Sequence, residues 1–409
     1  MFYGKVIDNH IMEPDEGERL LNCSESCFGR PRFDDEGVST ATSLSQEKLE
    51  RNIASEYLDK YEEFPDLKRS LHINYLLNTL QNLPLSYEVM DCSRTWIVYW
   101  TLHALALMNY ELDTNMKTAV VNFLKCCQHA EGGFGGGPGQ DAHLAPTYAA
   151  VNALCIIGTD EAFRAIDRKK LASFLKKMKV GDGSFYMHKD GEVDMRSVYC
   201  SAVIAALLNL DDNELFEKSV DWITRCQTYE GGFSGTPGME AHGGYTFCGI
   251  CSLYLLGSVD KCDMKSLKRW ILNRQTAFEG GFQGRTNKLV DSCYSFWQCG
   301  SLAILNLGLI KENYFEMKPS EWHFDSALLQ EFLLICCQHV QGGFIDKPTT
   351  SHDPYHSCYS LSGLCIAQSP DLGEGIVLGA AENKLVELHP VYNLPMTALQ
   401  KAKSYFENE

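Results

Sequence analysis

Asp291, Cys293 and His356 are side chains whose types, taken together, could hold a metal ion: one carboxylate, one thiolate and one imidazole. These are good zinc ligands, and three protein ligands leave a fourth position for an exogenous one. The histidine stands far downstream of the Asp-x-Cys pair. Such spacing alone does not separate a metal site from a helix-capping Asp, a core Cys and a hydrogen-bonded His.

A second group is basic. His242, Arg285 and Lys288 lie near Gly-rich backbone in a chain with 36 basic and 53 acidic residues, net charge −17. Cations converging on glycine-rich backbone suit a phosphate or diphosphate. The alternative is ordinary surface charge paired with nearby acids. A third group is aromatic: Trp96, Trp100, Tyr148, Tyr199, Tyr245, Trp297, Tyr355 and Tyr359. They begin or enter successive helical segments and could line a cavity or simply pack a core.

The elements that must position these groups form a repeat. Gly-Gly-Phe turns stand at Gly132–Phe134, Gly231–Phe233, Gly280–Phe282 and Gly342–Phe344, with a degenerate copy at Gly183-Ser184-Phe185. Phe134, Phe185, Phe233 and Phe282 recur at nearly equal intervals, and Phe344 follows at a somewhat longer one. Gln128, Gln227, Gln275 and Gln338 each stand shortly before a full copy. A period of about 50 holds two helices and two loops. Thr147–Ile157, Ser197–Leu210 and Ser295–Leu307 have apolar residues at three- and four-residue spacing, and period-two alternation is not sustained. The expectation is an all-α protein of helical hairpins. One hairpin cannot bury its own apolar face, so five or six must stack as an open superhelix or a closed ring. A ring, or α–α barrel, gathers the turns at one end around a central cavity.

The rest of the chain sets bounds. Hydrophobic residues make up 45% and charged residues 22%, a globular mix, and only 13 prolines leave room for helices. The acidity argues against nucleic acid as a partner, because that binding rests on Lys and Arg releasing counterions. Met1–His10 has no apolar leader core, the apolar run Trp96–Met108 is too short to span a bilayer, and the 17 cysteines read mostly as reduced core thiols. These features point to the cytoplasm. Residues 1–45 read as a loosely structured arm, Ser43–Glu63 as a charged helix and Leu67–Leu85 as an amphipathic one. The expected division is an arm over 1–70, a barrel over 71–390 and a tail over 391–409.

Five segments carry a resemblance: Trp96–Trp100, Gly135–Gln140, His242–Cys248, Gly284–Trp297 and Tyr355–Tyr359. From about Asp91 to Gln368 the chain closely resembles the protein farnesyltransferase β subunits, of the protein prenyltransferase β-subunit family. The resemblance implies an α–α barrel that pairs with a separate α subunit. It implies zinc on Asp291, Cys293 and His356, and a diphosphate site of His242, Arg285, Lys288 and Tyr294. A magnesium contact falls on Asp346. The isoprenoid would lie against Trp96, Tyr148, Arg196, Tyr199, Gly244, Tyr245, Cys248 and Trp297. The acceptor peptide would meet Trp96, Trp100 and Tyr355. In this family one diphosphate-contacting lysine comes from the α subunit. The departures are Ser292 for a glycine, Thr286 for a cysteine, and Asp141-Ala142 for an aromatic and a proline. The last of these, at a rim loop, could alter acceptor preference.

The implied reaction is transfer of farnesyl from farnesyl diphosphate to the cysteine of a C-terminal CaaX protein through a zinc-bound thiolate. A fifteen-carbon lipid is favoured over a twenty-carbon one because Trp96 with Tyr359 resembles the farnesyl pattern, as does Asp346. The rivals are a geranylgeranyltransferase β subunit, a terpene cyclase, for which no DxDD-like motif is found, and a helical ring that only binds a partner.

Overall fold

In the computed structural model of the protein, the described residues are 29–60, 65–210, 214–311, 324–370 and 375–408. A first helix, α1 (Ala41–Asp59), precedes six hairpins. In each, an outer helix runs into an inner one: α2 (Arg69–Gln81) with α3 (Arg94–Leu107), α4 (Thr114–Cys127) with α5 (Leu144–Ile157), and α6 (Arg168–Met178) with α7 (Met195–Leu207). The others are α8 (Ser219–Arg225) with α9 (Gly243–Leu255), α10 (Met264–Leu272) with α11 (Tyr294–Lys311), and α12 (Ser326–Glu331) with α13 (Pro354–Ala367).

The sequence separates the two layers. Outer helices are amphipathic: α10 buries Leu267, Trp270 and Ile271 and leaves its charged face outside. Four of them start on an aspartate cap, Asp113, Asp167, Asp263 or Asp325, whose carboxylate accepts a first-turn N–H. Inner helices are apolar nearly all round, as in the LAPTYAAVNALCII run of α5. Such a helix is stable only when covered on every side. Each inner helix packs on the next, from α3 through α5, α7, α9 and α11 to α13, and α13 packs back on α3. The ring of six is therefore closed.

The repeated motif explains the closure. The first glycine of each turn presses on the backbone that opens the next outer helix. A Cβ on Gly231 would meet the Ser266 carbonyl oxygen at 2.2 Å, and one on Gly342 would meet that of Leu71 at the same distance. Both have positive φ, +114° and +90°, which only glycine adopts at little cost. The turn's glutamine grips the same neighbour. Gln227 accepts from Asp263 N (2.8 Å) and donates to Asp263 O (3.0 Å); Gln275 does the same to Asp325 (2.9 Å each). Gln338 bonds Lys68 N and Asp66 O, both at 2.8 Å, joining the last turn to the first hairpin. Phe134, Phe185, Phe233, Phe282 and Phe344 are wholly buried behind these turns.

Two segments differ from the sequence reading. Residues 1–28 of the expected loose arm lie outside the described residues, but the following stretch is tied down. Arg30 pairs with Glu331 and donates to Phe278 O (3.3 Å), Arg32 lies over the Phe278 ring, and Phe33 N donates to Glu50 (2.9 Å). Over 391–409, read as a tail, Leu394–Pro395 pairs with Leu388–His389 as a short antiparallel hairpin, and α14 (Met396–Glu407) follows. Helix α14 packs on α5 and α7, with Phe406 against Phe163. The hairpin enters the ring at the C-terminal ends of the inner helices: Val386 N donates to Leu107 O, and Cys251 Sγ to Val391 O. Only the space inside the ring makes this aperiodic sequence a buried element. No described helix is long and apolar enough to cross a membrane.

Gly342→Ala should destabilise the protein by more than about 2 kcal/mol, since it adds a backbone clash to left-handed strain of roughly 1–2 kcal/mol. Gly139→Ala, also at positive φ (+73°) but facing open space, should cost only the strain. Denaturation midpoints of the two variants test this; equal losses would refute the packing role of the turn.

Candidate active site

The turns stand where outer helices end and inner helices begin, so all six inner-helix N-termini open at one end of the ring. Their helix dipoles make that end favourable for anions in a protein of net charge −17. The capping residues there are His143, Asp194, His242 and Asp353, each accepting a backbone N–H of its helix.

Asp291, Cys293 and His356 come together at this end. One ligand atom from each lies within 4.8 Å of the others, a group able to hold a metal ion. Asp291 Oδ1 accepts from Cys293 N (2.8 Å) and stands 3.3 Å from His356 Nε2. Asp353, which the sequence alone gave no role, orders the group. Its Oδ1 caps α13 through His356 N (2.7 Å), and its Oδ2 accepts from His356 Nδ1–H (2.6 Å). That holds Nδ1–H and turns Nε2 toward Asp291 and Cys293, where it could bind a metal once its own proton is lost. The signal was in the sequence: an Asp followed by Pro354, with the histidine two positions beyond the proline. Ser292 is buried; its Oγ donates to Ile345 O (2.7 Å) and its N to Asp346 O (2.8 Å). The ligand loop is thus fastened to the last Gly-Gly-Phe turn.

Charge in the trio is strongly coupled. Burial pulls the His356 imidazole down, but its bonds to Asp291 and Asp353 outweigh this and hold it at about 10. Burial, with the Asp291 charge, pushes the Cys293 thiol well up. Asp291 stays below the usual carboxylate range because His356 outweighs its burial.

His242 and Tyr294 meet directly, Nε2 to Oη 3.1 Å. His242 Nδ1 accepts from Gly244 N (3.1 Å), so Nε2 carries the proton. Burial, then the Arg285 charge, lowers its pKa, so it donates as a neutral ring. Arg285 is held by Glu240 (2.7 Å), another residue the sequence reading missed. Lys288 N donates to Arg285 O (3.3 Å). It is exposed on the Thr286–Lys288 turn and lines a cavity of about 840 Å³ beneath the Arg32–Glu36 arm. Burial raises the half-buried Asp346 carboxyl despite its pairing with Lys347.

The aromatic residues form a closed girdle inside the ring. Trp96 contacts Tyr148 (5.5 Å between centroids), then Tyr199 (5.3 Å), Phe247 (5.4 Å), Trp297 (5.2 Å), Tyr359 (4.3 Å), Tyr355 (4.9 Å), Trp100 (5.3 Å) and Trp96 again (5.3 Å). Every inner helix contributes. Trp96 and Tyr359 are linked through Trp100 and Tyr355 rather than ring to ring. Phe247 was missed, although it follows Phe233 at the same interval as Tyr148 follows Phe134 and Tyr199 follows Phe185. Tyr245 packs on His242, and Cys248 is buried beside Cys200. Gly244 is the N–H donor to His242. Arg196 is half-exposed at the rim, clamped by Asp194 (2.6 Å).

A ring of helical hairpins with a metal-ligand trio at its open end defines an α–α toroid of the prenyltransferase class. The sequence profile of the prenyltransferase alpha-alpha toroid domain matches residues 67–394. The chain belongs to the protein farnesyltransferase β-subunit family. It is 39% identical over 374 residues to the protein farnesyltransferase subunit beta of Pisum sativum, covering 76% of this chain and 89% of that one. With its counterpart in Arabidopsis thaliana it shares 37% over 402 residues, 83% of each. The Candida albicans protein geranylgeranyltransferase-I, solved with GGPP, superposes with a TM-score of 0.68 at 26% identity, over 83% of this chain and 99% of that one.

Metal uptake at the trio should displace two protons at neutral pH, from His356 and Cys293. The apparent Kd for Zn2+ should rise by roughly a hundredfold for each pH unit lowered between about 8 and 6. Chelator competition across that range tests it, and a flat profile would rule out the trio. Asp353→Asn keeps a good helix cap but loses the carboxylate; it should weaken metal retention by about 10- to 100-fold with little change in Tm.

Proposed function

We propose that this chain is the catalytic β subunit of a heterodimeric protein farnesyltransferase, working in the cytoplasm with an α subunit on CaaX-terminated proteins. The reading rests on one juxtaposition: the metal-ligand trio and the His242–Tyr294 pair stand at the mouth of an aromatic girdle closed through all six inner helices. Residues 71–390 are read as the catalytic barrel.

The donor set fits zinc, since a thiolate, a carboxylate and an oriented imidazole leave one open position. When bound on Asp291, Cys293 and His356, zinc lowers the pKa of an acceptor thiol and so supplies a nucleophile at neutral pH. In the reaction an S–C bond forms at the first carbon of the lipid, the C–O bond breaks, and diphosphate leaves with the electron pair. The chain's own residues act on that leaving group. His242 Nε2–H and Tyr294 O–H present neutral donors, and Arg285, shared with Glu240, and Lys288 present cationic ones. Asp346 is the carboxylate that would meet magnesium on the diphosphate. The girdle excludes water and packs the lipid, with Tyr245, Cys248 and Arg196 toward the mouth. Trp100 and Tyr355 offer their faces to the acceptor's aliphatic residues.

Geranylgeranyl transfer is the second reading, favoured by the superposition on the Candida albicans enzyme. The lipids differ by one five-carbon unit, on the order of 4 kcal/mol at about 0.8 per methylene. Trp96, wedged against Trp100 and Tyr148, occupies volume that the longer lipid needs. The chain co-expressed with a cognate α subunit should transfer the fifteen-carbon lipid in preference to the twenty-carbon one. Trp96→Thr should move the ratio of kcat/KM for the two diphosphates toward the longer by about ten- to a hundredfold, cavity cost limiting the gain. Preference for the longer donor in the wild type would replace the first reading by the second.

A further inference from the structure

The girdle stands on the C-terminal hairpin. Tyr99, wholly buried, packs edge-on to Trp96 (6.0 Å) and Tyr148 (5.7 Å), and its hydroxyl donates to Asn393 O (2.9 Å). Tyr148 Oη lies 3.4 Å from Tyr392 O and 3.0 Å from Tyr199 Oη. A phenol has one proton, so Tyr148 gives its own to the Tyr392 carbonyl and Tyr199 donates into Tyr148. Asn152 Nδ2 reaches the same carbonyl at 3.4 Å. The rings on α3, α5 and α7 are thus referenced to two successive backbone carbonyls of one turn. That turn is specialised: Asn393 is buried with φ +48°, a conformation that asparagine tolerates better than most residues.

Tyr99, Tyr148 and Tyr199 stand in the first halves of α3, α5 and α7, and the hairpin reaches their hydroxyls from the C-terminal ends of the inner helices, where Val386 N bonds Leu107 O, on the side away from the mouth of His242, Arg285 and Tyr294. A lipid whose diphosphate sits at the mouth points its last isoprene unit toward the hairpin. We propose that the hairpin Leu388–Pro395 is a specificity element for the prenyl donor. The carbonyls of Tyr392 and Asn393 set the height of the tyrosines at the deep end of the girdle, with Tyr99 and Asn393 as positioning residues. This rests on the prenyl-transfer reading above. Trp96 then limits lipid length through the tyrosines on which it leans as well as by its own bulk. Helix α14 holds the hairpin in place from outside, through its packing on the helices that carry Tyr148 and Tyr199.

Two variants test the hairpin, each as the heterodimer with the α subunit. Tyr99→Phe keeps the ring and cuts one tether. Asn393→Gly keeps the left-handed backbone and removes a buried side chain beneath the rings. The readouts are kcat/KM for the fifteen- and twenty-carbon diphosphates, KM for one acceptor peptide, Tm, and the Kd of each diphosphate by competition. The twenty- to fifteen-carbon ratio should rise by about three- to tenfold in Tyr99→Phe and further in Asn393→Gly, with acceptor KM unchanged. A merely structural role would lower Tm and slow both donors equally. A ratio within about twofold of wild type in both variants therefore overturns the proposal. If the wild type binds both diphosphates but transfers neither lipid, the prenyl-transfer reading fails and the Kd ratio judges the hairpin. Binding of neither overturns both.

Discussion

Everything at the mouth of this protein depends on the grip of each turn glutamine on the backbone that opens the next outer helix. An inner helix that is apolar all round has no stable surface of its own, so six of them persist only as a closed ring. Gln227 and Gln275 each satisfy one backbone N–H and one C=O of the neighbour, and Gln338 does so across the seam between last and first hairpins. The side-chain amide, donor and acceptor at once, bonds both. The adjoining glycines allow the backbones to approach closely enough for this.

Closure has an electrostatic consequence. Six helix N-termini meet at one end, and the residues that cap them are also the residues of the site or its supports. His242 spends one ring nitrogen on Gly244 and is thereby left with a proton on the other. Asp353 caps α13 with one oxygen and orients His356 with the other. The local rule that gives a helix a polar cap here also fixes the tautomer of His242 and the orientation of His356. An acidic chain can present an anion-binding mouth because helix ends, Arg285 and neutral donors concentrate there, while most carboxylates stay on the outer surface.

The interior is the counterpart of that polar mouth. One ring from nearly every turn of the repeat meets the next at 4.3–5.5 Å, giving an apolar wall continuous through the protein. Aromatic contacts of this kind are adaptable in angle but not in volume, so the wall's depth is set by what supports it from below. The C-terminal hairpin supplies that support with backbone carbonyls, which no change of its own side chains can remove.

Much of this was written in the sequence. The period of the Gly-Gly-Phe turns gives the hairpins, the helix-spaced apolar runs give their faces, and Asp-x-Cys, His356 and the basic cluster name most of the site, because each is a local pattern with a local cause. The interval from turn phenylalanine to girdle ring that marks Tyr148 and Tyr199 marks Phe247 as well. Other features were decided only in three dimensions. A repeat of hairpins does not say whether it closes; Gln338 meeting Asp66 and Lys68 does. The arm's anchor, Arg30 on Glu331, joins distant parts of the chain and leaves no local trace. The stretch around Val391–Leu394 has no periodicity at all. It is buried because the ring leaves a space of that shape, and the two carbonyls it offers to Tyr99 and Tyr148 are positioned by the fold, not by residue type.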